Sequence, residues 1–280
     1  MSTPSLRPRL TPIAASHPAA RRYLQARRNV LPRGDQLIAA SGPWAHQQLI
    51  RLGASIEVFL WCRGDGAAKS MAGVVDSIVT RAAASYEISE RTLARLQPQA
   101  RAPGHLSVVR IPTWEPERVL SRDARVVLVA DGIEYAGNLG ALLRTVDASG
   151  ADALVVTNQV ARLTHPTVFS ASRGTVLTTP TLQFPSVGEA RRTLEAAGFD
   201  IIVADPEAPV DYREVQYDGR RTAIVVGSEG SGVCAEWRLA ASRRVSISMR
   251  GQADSLNVAT AAAVLLFGRA PDPRSSTARG

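Results

Sequence analysis

The stretch Val126–Thr145, VVLVADGIEYAGNLGALLRT, decides how the chain reads. It begins with a short, uninterrupted apolar run rich in β-branched residues and ends that run at Asp131 and Gly132. Such a run fits a strand covered on both faces. The residues that follow read as a helix over 138–149. A buried strand feeding a helix is the unit from which parallel α/β sheets are built. One residue is out of place: Arg144 sits among Ala141, Leu142, Leu143 and Val146. A buried, unpaired guanidinium is costly, so Arg144 is expected to meet an anion or to project into a site.

The alternation continues to the C-terminal side. Strands are expected at ALVVT, near LTTPTLQF, and at DIIVA, TAIVV and VSISM. Helices are expected through FSAS, SVGEARRTLEAAG, CAEWRLAAS and SLNVATAAAVLLF. The fold class is therefore α/β, with a parallel sheet covered by helices on both faces. Upstream, residues 36–112 also alternate. SGPWAHQQLIRLG carries helix punctuation, SIEVFLWC is strand-like by its β-branched and aromatic content, MAGVVDSIVTRAA and ERTLARLQ read as helices, and SYEIS and LSVVRIP as strands. The expected organisation is a flexible arm over 1–20, a smaller α/β domain over 21–112, a linker over 113–124, the larger α/β domain over 125–270 and a disordered tail over 271–280.

Composition narrows the function. The chain has 280 residues, 45% hydrophobic and 21% charged, as expected of a soluble globular protein. No apolar run approaches the roughly 18–20 residues of a membrane span, and the N-terminus lacks the apolar core of a secretory signal; a cytoplasmic protein without membrane partners is expected. Cys62 and Cys234 lack metal-ligand spacing and the four histidines are scattered, so two reduced thiols and no metal are expected. The net charge is +8, which favours a polyanionic partner. Before residue 36, Arg7, Arg9, Arg21, Arg22, Arg27, Arg28 and Arg33 face a single acid, Asp35. That cluster is either a solvated helix face or a phosphate-binding footprint.

Ligands of open parallel sheets bind beyond the carboxyl ends of the strands. Three such ends carry most of the unusual polar residues and glycines: DGIEYAGNLGALLR after VVLVA, GSEGSG (227–232) after TAIVV, and RGQADSLN (250–257) after VSISM. Each has a plain structural explanation. Asn138 and Ser255 are plausible helix caps, and GSEGSG a tight turn. GSEGSG does not fit a P-loop, since Val233 and Cys234 stand where Lys and Ser/Thr are needed, and its glycine spacing and late position do not fit a dinucleotide fingerprint.

Taken together, GNLGALLRT, IVVGSEGSGV and VSISMRGQADSLNVATA resemble motifs one, two and three of the SpoU/TrmH group of RNA ribose 2'-O-methyltransferases, in the SPOUT superfamily. The resemblance covers about residues 125–268. The upstream α/β unit is similar to the L30e-like RNA-binding domain that often precedes that catalytic domain, and the layout with SASRG resembles the thiostrepton and nosiheptide resistance enzymes, which methylate 23S rRNA. The resemblance implies a trefoil knot near the C-terminus that forms a pocket for S-adenosylmethionine, and a homodimer with the active site near the subunit interface. Carried over by motif, it implies catalytic roles for Asn138, Arg144, Glu229, Ser255 and Asn257, and cofactor contacts from Ala204, Gly227, Ile247 and Leu256. Arg144 and Arg173 would contact RNA, joined by Arg21, Arg22, Arg27 and Arg28. The chain departs from the family pattern at Ser170, Ser228 and Ala136, where relatives often carry Arg, Asn and Pro. Ser170 bears on substrate identity more than on catalysis.

The implied reaction is attack of a ribose 2'-OH on a sulfonium methyl, without metal. Arginine is effectively always charged, so Arg144 is read as a clamp on phosphate and on developing alkoxide charge, with phosphate or water taking the proton. The competing readings are the same chemistry on tRNA and a non-catalytic RNA-binding protein on the same scaffold.

Overall fold

The computed structural model describes residues 10–32, 34–63, 72–99, 102–215 and 219–269. The first nine residues of the expected arm, with Arg7 and Arg9, lie outside the described residues, as do Arg33 and the expected tail 271–280. The chain divides into two compact units, Met1–Pro112 with Thr164–Thr178, and Thr113–Leu163 with Thr179–Gly280.

The first unit contains β1 (Thr11–Ile13), α1 (Pro18–Arg27), β2 (Leu37–Ser41), α2 (Pro43–Arg51), β3 (Ile56–Trp61), α3 (Ala72–Arg81), β4 (Ala84–Ile88), α4 (Glu90–Leu96) and β5 (His105–Arg110). Its sheet runs β1-β4-β3-β5-β2. β1, β4 and β3 are parallel, whereas β5 is antiparallel to both β3 and β2. The arm expected over 1–20 is corrected for its described part. Thr11–Ile13 pairs with Tyr86–Ile88 at the sheet edge, where Pro12, which has no N–H, is tolerated. α1 then starts at Pro18, with Ala19 N–H donating to His17 Nδ1 at 3.2 Å. It buries Ala19, Ala20, Tyr23 and Ala26 against the sheet, which leaves its arginines on the outer side.

The second unit holds α5 (Pro116–Val119), β6 (Val126–Asp131), α6 (Ala136–Ser149) and β7 (Ala153–Thr157). After α7 (Pro166–Ala171), which packs with the first unit, come β8 (Thr181–Gln183), α8 (Val187–Ala196), β9 (Asp200–Ala204), β10 (Thr222–Val226), α9 (Ala235–Ala240), β11 (Arg243–Val245) and α10 (Val258–Arg269). All six strands are parallel, in the order β11-β9-β10-β6-β7-β8. Val127, Val129, Val155, Val203 and Val225 point to one face, where Leu194 of α8 and Trp237 of α9 complete a core. The alternate positions, Leu128 and Ile224 among them, are equally buried; α6 and α10 pack against each other and onto β6 and β10. Both faces are covered, which is why these strands read as unbroken apolar runs.

Two expectations change in detail. The segment read as linker contains the short α5. Of VSISM, only Val245 belongs to β11; Ser246 instead exchanges hydrogen bonds with Val210 and Tyr212, at 2.8 and 2.9 Å. No helix among the described residues is long and apolar enough to cross a membrane.

Candidate functional site

The strand order reverses direction at β6. The chain runs outward through β7 and β8, then returns on the other side with β9, β10 and β11. β6 and β10 are neighbours at this switch point, the place where open parallel sheets offer a crevice. The sequence places its polar loops there. Asn138 stands in the first turn of α6, after β6. Glu229 lies in the turn after β10, and Asn257 lies immediately before α10.

These three side chains meet. Glu229 Oε1 accepts from Asn138 Nδ2 at 3.2 Å and from Asn257 Nδ2 at 2.5 Å, and Asn257 Nδ2 also points to Asn138 Oδ1 at 3.1 Å. Glu229 Oε2 has no hydrogen bond among the described residues. Asn257 has a second duty. Its Oδ1 accepts from Ala259 N–H at 3.0 Å, capping α10. The cap expected from Ser255 therefore belongs to Asn257; Ser255 is exposed, with its hydroxyl 3.4 Å from Asp254 Oδ1. Asn138 lies inside α6 and is not its cap. A pocket of about 280 Å³ opens beside the hub, with Ile133, Tyr135, Asn138, Ser228, Glu229 and Val258 among its walls.

The turn after β10 is built tightly. Ser228 Oγ accepts from Ser231 N–H at 3.1 Å, and Gly232 N–H donates to Ser228 O at 2.9 Å. A Cβ on Gly227 would stand 2.1 Å from the Gly232 carbonyl group, so the turn closes only over glycine. Its far end is pinned by Asp131, a buried residue at the end of β6. Asp131 Oδ2 accepts from Cys234 N–H at 2.9 Å, while Oδ1 accepts from the Thr157 hydroxyl at 3.0 Å and Asn158 Nδ2 at 2.8 Å. Trp237 Nε1 donates to Thr157 Oγ1 at 3.1 Å, joining α9 to the same network. Burial, above all, pushes the Cys234 thiol up.

Of the residues read as cofactor contacts, Ala204, Gly227 and Ile247 lie at or just past adjacent strand ends, and Leu256 precedes α10. Val245 pairs with Ala204 across β11 and β9, and Val225 with Val203 across β10 and β9. Ala204 thus stands level with the end of β10, one residue short of Gly227. Ile247 follows β11 by two residues and is partly buried, as is Leu256 beside Asn257.

Arg144 is not part of the hub. It is exposed, on the side of α6 away from the buried Leu142, Leu143 and Val146. Six residues separate it from Asn138, which is about 120° around the axis and about 9 Å along it. Its guanidinium has no hydrogen bond or ion pair with the described residues. Exposure removes the desolvation cost that an apolar neighbourhood suggested. Arg173 lies in the first unit with a left-handed backbone (φ 56°), its guanidinium 4.5 Å from the Trp44 ring centre. Arg21 and Arg28 are exposed and Arg27 half-buried. Arg22 pairs with Glu57 at 3.4 Å, and the same carboxylate binds Arg110.

Sequence reasoning passed over Asp131 and Tyr135. The first was signalled by a carboxylate ending a fully apolar strand, the second by an aromatic residue directly before a helix that begins AGN. Among the described residues, no group of three or more His, Cys, Asp or Glu side chains is placed to hold a metal.

A six-stranded parallel sheet with a polar hub at its switch point, built from the segments after three strands, defines an open α/β protein. The chain belongs to the SpoU rRNA Methylase family, whose model matches residues 125–267. It is 31% identical over 169 residues to the 23S rRNA (uridine(2479)-2'-O)-methyltransferase of Streptomyces viridochromogenes, covering 59% of each chain. A TrmH-family protein of Staphylococcus saprophyticus is 33% identical over 141 residues, 50% of this chain and 56% of the relative. These matches thus span little more than half of the relatives' own lengths. Among solved structures, an RNA 2'-O ribose methyltransferase is 30% identical with a TM-score of 0.70, over 92% of this chain and 96% of the other. An AdoMet-bound rRNA methyltransferase of Sinorhizobium meliloti reaches 0.79 over 92% and 96% at 20% identity, a likeness of fold.

Proposed function

We propose that this chain is an S-adenosylmethionine-dependent RNA 2'-O-ribose methyltransferase, acting as a homodimer on 23S rRNA. The observation that carries the reading is the Glu229 carboxylate held by two asparagines from other loops, with one oxygen left for a substrate. The family and the 23S rRNA activity of the Streptomyces relative support the substrate class.

The residues present fit the cofactor. Ala204, Gly227 and Ile247 lie at the carboxyl ends of three neighbouring strands, where main-chain groups free of strand pairing can read a purine. Ile247 and Leu256 supply partly buried apolar flanks. When bound there, S-adenosylmethionine supplies an electrophilic methyl group on a sulfonium. The threading expected of a trefoil knot would carry the segment before α10 past the turn after β10, consistent with the Asn257–Glu229 bond.

The chain's own work is positioning and proton transfer. Asn138 and Asn257 fix Glu229 Oε1, and since Glu229 is among the pocket walls, Oε2 is the oxygen left for a substrate. A ribose 2'-OH seated there donates its hydrogen bond to Oε2. On transfer of the methyl group the Glu229 carboxylate, rather than the phosphate or water expected from the sequence, would take up the hydroxyl proton, leaving the cofactor as the neutral thioether. Holding both reactants in line offsets roughly 7–11 kcal/mol of the barrier. Arg144, charged and unpaired on the outer face of α6, clamps an RNA phosphate. In the dimer it reaches RNA bound near the subunit interface. Arg21, Arg28 and Arg173 add sequence-independent attraction that salt weakens, and the first unit serves as an L30e-like RNA-binding domain. The protein works in the cytoplasm, where ribosomal RNA is found.

The test is transfer of labelled methyl from S-adenosylmethionine to rRNA, with mapping of the modified ribose. Glu229→Gln keeps the shape of the hub and removes its basicity. A kcat loss of about 10²–10⁴-fold is expected, with cofactor affinity nearly unchanged. Turnover of Glu229→Gln near that of the wild type refutes the proton-accepting role.

A further inference from the structure

The pocket beside the hub has a wall that this mechanism leaves unused. Tyr135 occupies the N-cap position of α6, makes no capping bond, and its side chain lines the pocket. It is 64% exposed, and of the large exposed apolar side chains among the described residues it is the one that borders the pocket. Its ring has no aromatic, cation–π or hydrogen-bonding partner among those residues. Tyr135 and Asn138 are three residues apart at the start of α6, and both are among the walls of the same pocket. Asn138 in turn touches Glu229. A ribose whose hydroxyl meets Glu229 therefore carries its base along the wall that Tyr135 forms.

We propose that Tyr135 is a substrate-positioning residue that stacks on the nucleobase of the nucleotide whose ribose is methylated. The inference rests on the methyltransferase reading above. Its chemistry is that of single-stranded RNA recognition. Target nucleotides in loops and bulges have unstacked bases, and a flat aromatic side chain replaces the lost neighbour. Stacking tolerates all four bases because each presents a π face, so Tyr135 contributes affinity and orientation, and base identity is read elsewhere. An aromatic ring suits the task because it offers a large contact area while restricting only two side-chain torsions.

The test is steady-state methyl transfer by the full chain to deproteinised rRNA, with cofactor affinity measured separately by calorimetry. Tyr135→Ala is expected to raise the KM for RNA about ten-fold, equivalent to about 1.4 kcal/mol. The kcat is expected to stay within about two-fold and the Kd for S-adenosylmethionine to stay unchanged, because stacking that is equal in ground and transition states appears in KM. Tyr135→Phe keeps the ring and is expected to restore the wild-type KM. An unchanged KM in Tyr135→Ala overturns the stack. A weakened cofactor Kd overturns it by assigning the ring to the cofactor, and a shift in oligomeric state overturns it by assigning the ring to a second copy. Loss in Tyr135→Phe equal to that in Tyr135→Ala overturns it by making the hydroxyl the active group. Wild-type protein that methylates no rRNA overturns the methyltransferase reading and this inference with it, whereas wild-type activity with an indifferent Tyr135→Ala overturns the inference alone.

Discussion

Replacing Asp131 separates what holds the site from what acts in it. The carboxylate has three donors, and their surroundings set the cost of losing each. Thr157 is fully buried and its oxygen already accepts from Trp237. Without Asp131 its hydroxyl proton has no acceptor and no water, a loss of about 1.5–3 kcal/mol. Cys234 N–H lies in a half-buried residue, so its loss adds about 1 kcal/mol. Asn158 is exposed, and water replaces its bond at little cost. Asp131→Ala should therefore destabilise the second unit by about 3 kcal/mol. Asp131→Asn preserves acceptance from Thr157 and Asn158 but turns an amide N–H₂ toward Cys234 N–H. Its stability loss should be about 1–2 kcal/mol, with the damage concentrated on the turn Gly227–Val233. Urea unfolding read by hydrogen exchange of the β6 and β10 amides, which belong to the second unit, measures the first quantity. Titration with S-adenosylmethionine measures the second, where Asp131→Asn should lose about ten-fold in affinity, equivalent to about 1.4 kcal/mol. An Asp131→Ala protein with the wild-type unfolding midpoint would show that the network supports nothing, and would refute this account of the turn.

Gly227→Ala should abolish cofactor binding while sparing the first unit, because the new methyl group would lie 2.1 Å from the Gly232 carbonyl group; a variant that binds with wild-type affinity would count against the closed turn. His46 predicts an acid instability of the first unit. It is fully buried, its Nδ1–H donates to Gly42 O at 2.8 Å and its Nε2 accepts from the Ser107 hydroxyl at 2.9 Å, and burial lowers its pKa from 6.5 to about 4. Between those values the unfolded chain takes up the proton and the folded chain does not. Stability is thus full above about pH 6.5 and falls by about 1.4 kcal/mol per pH unit below it, reaching about 3 kcal/mol near pH 4. Burial lowers His105 in the same direction. Thermal melts of the wild type and His46→Gln between pH 7.5 and 4.5 should converge as pH falls, and parallel curves would refute the assignment.

The second unit was legible because its strands are buried on both faces. VVLVA, ALVVT, DIIVA and TAIVV are apolar throughout except at a terminal residue, Thr157, Asp200 or Thr222, and each lies in a strand of the sheet. Short pieces at the edges carry less signal. β1 contains a proline and is only three residues long. β2 hides within LIAAS, where alanines fit helix as well as strand. VSISM alternates like a strand, yet past Val245 its partner is a loop, Val210–Tyr212, which local pattern does not encode. The hub was readable as loops that belong together; its bonding was not, because Asn138 and Glu229 are 91 residues apart. Arg144 misled in a specific way. Its apolar neighbours suggested burial, but helix periodicity places an exposed residue between buried Leu143 and Val146.

Asn257 closes the hub and caps the last helix with one side chain, and its partners come from turns made much earlier in synthesis. No shortened chain that stops before this asparagine retains a partial hub of the same shape: Glu229 would lose its shorter bond and α10 would be missing altogether. The pocket, with Val258 of the last helix among its walls, therefore takes its shape only once that helix has joined the two earlier turns.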